Sequence, residues 1–488
     1  MVAIGGVVFA WARLARTLPD LHGWHLSAPA SEFRASQADG AYTFDDYLAQ
    51  ENRVFAELDD LMKKDWAGES VGRFCRYKPD SICNPATLLD RNWNRTVVLE
   101  SAKPAGGALL VHGLSDAPYS LRTLAGKLHE SGYTVIVLRV PGHGTCPKAL
   151  AGASWQDWAA AVRVAMQGLR KRVTDGKPLV MVGYSNGGTL CVDYAARVTL
   201  EGDGSALPKP SALALISPMI AITPMAEFTR LYPLASLLSG EKKLSWSGIE
   251  PEIDPFKYSS WPTNASMQAS LITGHVGAEL QQLAAENRMG AFPPVLVVQS
   301  VADSTVVASG MIDTLMDRVA PGRGRLILFD INRYSWLEGL TSTGFEQIIR
   351  PRLARGDLPF ALTVVTNRSP QSREVLAREH RAGAKTVSDM TETEIGASWP
   401  IGTFSLSHVA LPIPPSDPVY GADEPGSPAV LPLGTLALRG ERDVLAISPG
   451  LMMRMRHNPF YDWTERQILS WISLQTGGGV AERAGPRG

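Results

Sequence analysis

Apolar and polar positions along this chain change period twice. From Thr43 to Met62, "TFDDYLAQENRVFAELDDLM" sets Phe44, Tyr47, Leu48, Phe55, Leu58 and Leu61 near one face at helical spacing, with Thr43 as the N-cap. The spacing predicts an amphipathic helix that docks before the main domain. From Arg95 onward, short β-rich runs alternate with helix-length stretches. That alternation predicts an α/β fold, a mostly parallel sheet with helices on both faces. The runs are "RTVVLES", "GALLVHG", "YTVIVLRV", "PLVMVGYS", "ALALISP", "PPVLVVQS" and "GRLILFD". Helices are expected over Ser120 to Glu130, Trp155 to Arg172 and Gly188 to Val198.

Two insertions break the rhythm. Residues 219–290, rich in Leu, Trp, Tyr and Phe and including "LYPLASLLSG" and "DPFKYSSWP", read as a cap. Residues 332–400 hold one further strand-like run, "PFALTVVTN". The expected organisation is an N-terminal segment over 1–18, a helical extension over 19–94, a first part of the core over 95–218, the cap, and a second part of the core over 291–488. A Pro-rich loop, "ALPIPPSDPVYGADEPGSP", follows His408, and no internal repeat is visible.

The opening stretch "MVAIGGVVFAWARLAR" has twelve uncharged residues before Arg13, whereas a spanning helix needs about 20 apolar residues. It lacks the basic start and small-residue cleavage site of a secretory signal. Three readings stay open: a clipped membrane anchor that begins upstream, an interfacial segment, or a buried first helix. The anchor is put first, which implies membrane association or export to the periplasmic side; otherwise the protein is expected in the cytoplasm.

Composition narrows the function classes. With 45% apolar and 19% charged residues, the 488-residue chain is globular with a substantial core. Its formal charge of -1 offers no field to gather nucleic acid. Cys75, Cys83, Cys146 and Cys191 show no metal-ligand spacing, so no metal site is expected. Cys75 and Cys83, in "FCRYKPDSICNP", suit a local disulfide in an oxidising compartment, and two unlinked thiols are the equal alternative.

The chemistry starts at "VMVGYSNGGTL". Gly183-Tyr184-Ser185-Asn186-Gly187 follows an apolar β run and precedes a helix-compatible stretch, the setting of a strained strand-to-helix turn that presents a serine nucleophile. Such a serine needs N–H donors for the oxyanion of its tetrahedral intermediate. Those of Asn186, after the serine, and Leu114, after "LLVHG", are nominated. His112 is expected to brace the loop by hydrogen bonding.

On the residues "LLVHGLSDAPYS", "LRVPGHGT", "GYSNGG" and "VVQSVADSTV", the chain resembles the α/β-hydrolase family, in its esterase and lipase branch, and most of all the monoacylglycerol lipases and lysophospholipases. The resemblance runs from about Arg95 to Asp303 and resumes near His408; the long insertion before "SLSHVALP" departs from the usual compact tail. It implies the order nucleophile, acid, histidine. Asp303 follows the first strand after the cap and is preferred as the acid to Asp330, which ends the run "LILFDIN". Of the later histidines, His380 lies in "LAREHRAG", read as a charged helical face, and His457 in "MRMRHNPF", read as a surface turn beside arginines. His408, opening a loop after the apolar "WPIGTFSL", is preferred as the base. His143, in "VPGHGTCP", is given a structural role.

The expected reaction is acyl transfer to water by Ser185, His408 and Asp303, with no cofactor. Trp246, Phe256, Tyr258 and Trp261 offer walls for an acyl chain, or simply pack the cap on the core. Carboxylic-ester hydrolysis of lipid monoesters, of the monoacylglycerol or lysophospholipid class, follows from the resemblance alone. An acyltransferase with the same triad and a non-catalytic binding protein on this fold are the alternatives.

Overall fold

The computed structural model describes residues 17–38, 40–69, 72–221, 242–303, 308–338, 351, 358–383, 391–422, 430–431, 433–434 and 454–477. Residues 1–16 of the expected N-terminal segment and "LYPLASLLSG" lie outside this set. No helix among the described residues is long and apolar enough to cross a membrane.

Thr43 does cap the first long helix, α1 (Phe44–Lys64). Its hydroxyl accepts from Asp46 N at 3.2 Å, and Asp46 Oδ2 accepts from Thr43 N at 2.9 Å, which satisfies two otherwise orphaned donors. The apolar runs become β1 (Val97–Leu99), β2 (Gly106–Val111), β3 (Tyr133–Leu138), β4 (Leu179–Tyr184) and β5 (Ala212–Ile216). After a small antiparallel pair, β6 (Trp246–Gly248) and β7 (Trp261–Pro262), come β8 (Val295–Ser300) and β9 (Gly324–Phe329). The helices between them are α2 (Arg122–Glu130), α3 (Trp155–Arg172), α4 (Asn186–Glu201) and α5 (Thr263–Ala285); α6 (Tyr461–Thr476) ends the described chain.

Strand alternation sorts the core into two layers. Leu109, Val111, Met181 and Leu213 pack with α1, α3, α4 and α5, while Ala108, Leu110, Val182 and Ala214 pack with α2 and α6. Strands buried on both faces have to be apolar throughout, which is why their runs are continuous in the sequence.

Beyond β9 the sheet continues with β10 (Ala361–Asn367), β11 (Glu374–His380) and β12 (Thr391–Ser398), giving the order β1-β3-β2-β4-β5-β8-β9-β10-β11-β12. Neighbours from β3 to β10 are parallel; β1, β11 and β12 pair antiparallel at the edges. The helical reading of "LAREHRAG" is corrected here: Glu374–His380 is a strand, and His380 is buried rather than on a solvated face. Charged residues at Glu374, Arg378 and Glu379, on both faces of the strand, obscured the period of two. They form cross-strand pairs, as Arg378 Nε does with Glu392 Oε1 at 2.9 Å.

Cys75 and Cys83 are free thiols, so the disulfide is not formed; they are buried in separate apolar clusters, where packing occupies them.

The N-terminal extension is held to the sheet by ion pairs. Arg139, directly after β3, places its guanidinium 3.0 Å from Glu32 Oε1 and 3.1 Å from Glu51 Oε2, with all three side chains buried. Glu51 also accepts from Thr96 N at 2.8 Å and Thr96 Oγ1 at 2.7 Å. Burial alone would lower the proton affinity of Arg139, and the charges of Glu32 and Glu51 outweigh it, so the guanidinium stays charged. Arg139→Met should lower the unfolding free energy by about 3–5 kcal/mol, because two carboxylates would remain buried without a counter-charge. Chemical denaturation checks this, and a loss below about 1 kcal/mol would contradict it.

Candidate active site

The chain passes from β2 out to β3 and returns to β4 on the other side, so the strand order reverses between β2 and β4, where Val111 pairs with Gly183. In open α/β sheets the crevice beyond the carboxyl ends at such a reversal is where ligands bind. Ser185 stands there, between β4 and α4, at φ 53° and ψ -119°. That backbone is costly for a residue with a side chain and persists only when its surroundings enforce it. They do: a Cβ on Gly183 would lie 2.5 Å from Gly188 Cα, and one on Gly187 would lie 2.0 Å from Val111 O. Ser185 N donates to Ile216 O at 2.9 Å, fixing the turn to the end of β5.

The loop after β2 lies against this turn, since a Cβ on Gly113 would come within 3.1 Å of Ser185 Cβ. His112 holds the loop, as expected. Its Nε2 accepts from Val140 N at 3.1 Å, and its Nδ1 then carries the proton it donates to Gly113 O at 2.8 Å. Neither the Leu114 nor the Asn186 N–H has a hydrogen-bond acceptor among the described residues. Asn186 is the first residue of α4, so its N–H sits at the positive end of the helix.

Asp303, just past β8, and His408 are brought together: Nδ1 of the imidazole is 3.3 Å from Oδ1 of a carboxylate enclosed by protein. Gln299 Nε2 donates to Asp303 Oδ2 at 3.3 Å. The long insertion does not carry His408 away, because the chain returns from β12 across the carboxyl ends of the strands. Asn332, past β9, binds Phe404 O through its N–H at 2.8 Å and Thr403 O through Nδ2 at 2.7 Å. Ser300 Oγ, at the end of β8, donates to Leu406 O at 2.8 Å.

The rival residues are placed elsewhere. The Asp330 carboxylate accepts from Arg333 Nε at 2.5 Å, Ile331 N at 2.8 Å and Thr366 Oγ1 at 2.9 Å, which locks the turn after β9. His380 ends β11, three strands from β8. His457 Nδ1 is 3.2 Å from Tyr420 O.

A cavity of about 110 Å³ lies near the site: Asp116, just past Leu114, and Val409, next to His408, line it, whereas Ser185, Asp303 and His408 do not. Ile253, Ile413 and Leu433 give it apolar wall. Lys257 Nζ, 3.4 Å from Asp116 Oδ2, and Arg456 Nη1, 2.9 Å from Asp254 Oδ2, give it charge. Burial raises the proton affinity of Asp116, and Lys257 opposes it. These lining pairs were missed in the sequence, where their members lie far apart with no local pattern. Of the four aromatics named from the cap region, Tyr258 lines the cavity. Phe256 instead stacks on Tyr119 at 3.9 Å, and Trp246 packs on the His25 ring at 4.8 Å.

His143 is buried beside His112, with ring centroids 5.1 Å apart. Burial lowers His143 to about 4 and puts His112 well below its ordinary value, with His143 adding to the latter. Both imidazoles are therefore neutral in the folded protein near pH 5. The unfolded chain takes up their protons below about 6.5, so each destabilises the fold as pH falls from there toward 4. Nitrogen NMR of the imidazoles should find both neutral at pH 5; titration of either near 6.5 would contradict this placement.

Residues 102–331 match the serine aminopeptidase S33 family. A thermostable monoacylglycerol lipase of Bacillus sp. (strain H-257) is 29% identical over 177 residues, 36% of this chain and 65% of that protein, so the chain spans a little under two thirds of that relative's length. Among solved structures, a monoacylglycerol lipase of Paleococcus ferrophilus is 18% identical with a TM-score of 0.36, covering 48% of this chain and 87% of that one. A soluble variant of the monoglyceride lipase of Saccharomyces cerevisiae, in complex with a substrate analog, is 16% identical with a TM-score of 0.35, covering 48% and 81%. The strand order and the serine turn after β4 are those of an α/β-hydrolase fold, and within it residues 102–331 resemble the serine aminopeptidase S33 family.

Proposed function

We propose that the protein hydrolyses carboxylic esters through an acyl-enzyme on Ser185, with lipid-like monoesters of the monoacylglycerol or lysophospholipid class as substrates. The observation that carries the reading is the contact of His408 Nδ1 with the enclosed Asp303 carboxylate at the carboxyl ends of the strands, where Ser185 follows β4. The likeness to a monoacylglycerol lipase supports the substrate class.

In this reading His408 Nε2 takes the Ser185 proton as Oγ attacks the ester carbonyl, and Asp303 steadies the imidazolium through Nδ1. The carbonyl oxygen gains the negative charge and is held by the N–H groups of Leu114 and Asn186. Collapse breaks the ester C–O bond, and His408 returns the proton to the leaving alcohol. Water then repeats the sequence on the acyl-serine and releases the acid. The cavity's apolar wall suits an acyl chain and its charged side a polar head.

Asp303→Asn should leave the fold intact and cut turnover of a medium-chain monoacylglycerol about ten-thousandfold, because the amide holds the wrong imidazole tautomer. Asp330→Asn should cost about 1–3 kcal/mol of stability and little activity per folded molecule. Steady-state kinetics beside unfolding curves separate the two; the opposite pattern of activity losses would overturn the choice of acid.

A further inference from the structure

Helices α4 and α5 pack side by side, and Asp193 on α4 meets His275 and Glu279 on α5. The two residues of α5 are four apart and so share one face. His275 Nε2 lies 3.5 Å from Asp193 Oδ1 and 3.3 Å from Glu279 Oε1, and one ligand atom from each residue falls within 4.8 Å of the others. Asp193 is only 2% exposed, and its Oδ1, like His275 Nε2, is buried with no hydrogen bond. An imidazolium bridging two carboxylates would aim its N–H at one of them, and Nε2 meets neither in hydrogen-bond geometry. A polar group buried this deeply and left unbonded calls for a partner of another kind.

We propose that Asp193, His275 and Glu279 form a zinc site that clips α4, the helix beginning at Ser185, to α5. Zinc with bonds of about 2.0–2.1 Å sets its tetrahedral ligands about 3.3–3.4 Å apart, close to the two separations from His275. One imidazole with two carboxylates suits zinc, whereas calcium and magnesium favour all-oxygen cages. Trp155, with ring centroids 4.8 Å apart, fixes the imidazole plane. Burial raises the proton affinity of Asp193, with His275, Arg197 and Arg163 opposing it, and the charge of the two guanidinium groups limits the affinity for zinc. The expectation of no metal rested on cysteine spacing, which says nothing about a site split between two helices.

The test uses the full chain without an affinity tag, stripped by chelator and dialysed against zinc. About one zinc should be retained per chain, and thermal unfolding should move up by several degrees with zinc and not with magnesium. Cobalt(II) should give the intense visible bands of a tetrahedral site. Asp193→Asn and His275→Gln should each weaken zinc binding roughly tenfold or more. His275 is partly exposed, so its variant carries the test if Asp193→Asn fails to fold. Absence of stoichiometric zinc, or zinc binding unchanged by His275→Gln, would overturn the proposal. Neither result touches the ester-hydrolase reading.

Discussion

The constraint on which the site depends is the reversal of the chain at Ser185, where a strand becomes a helix within one residue. α4 approaches the sheet so closely that side chains at Gly183 and Gly187 would strike backbone atoms. That approach holds Ser185 at positive φ and lays the loop after β2 against it. The N–H groups of Leu114, next after Gly113 on that loop, and of Asn186, next after the serine, have no acceptor among the described residues. The strain is local, and the large apolar layers on both faces of the sheet enforce it.

The second half of the site solves a longer problem. Between Asp303 and His408 the sheet gains four strands, yet the histidine returns to the carboxylate beside β8. Hydrogen bonds from Asn332 and Ser300 stitch the returning segment across the ends of β9 and β8. Asp330, which in sequence competes with Asp303, serves this framework instead: its carboxylate holds Arg333 and Thr366 and shapes the turn from which Asn332 reaches out. At the other end of the chain, the Arg139 network couples the N-terminal extension to the sheet. The site is thus set by distant segments anchored to one row of strand ends.

What the sequence revealed follows from burial. β2, β4, β5, β8 and β9 are covered on both faces, so their apolar runs are continuous and readable. Strand β12, "TETEIGAS", is mostly exposed, and β11 carries charges on both faces; neither shows the apolar signal that a sheet interior imposes. The serine turn was legible because its glycines are sterically required, although they also hid the true start of α4 at Asn186, two residues before the helix expected from Gly188. The lining pairs Asp116–Lys257 and Asp254–Arg456 had no such signal, because each joins residues that only the folded chain brings together.

The central claim is that Ser185 is the nucleophile, and the most direct measurement is peptide mapping after reaction with a fluorophosphonate. Attack by an activated hydroxyl leaves a stable phosphonyl ester on the attacking serine, so the account predicts a single adduct on the peptide containing Gly183-Tyr184-Ser185-Asn186-Gly187. An adduct on a different serine, or none on folded protein, would contradict it.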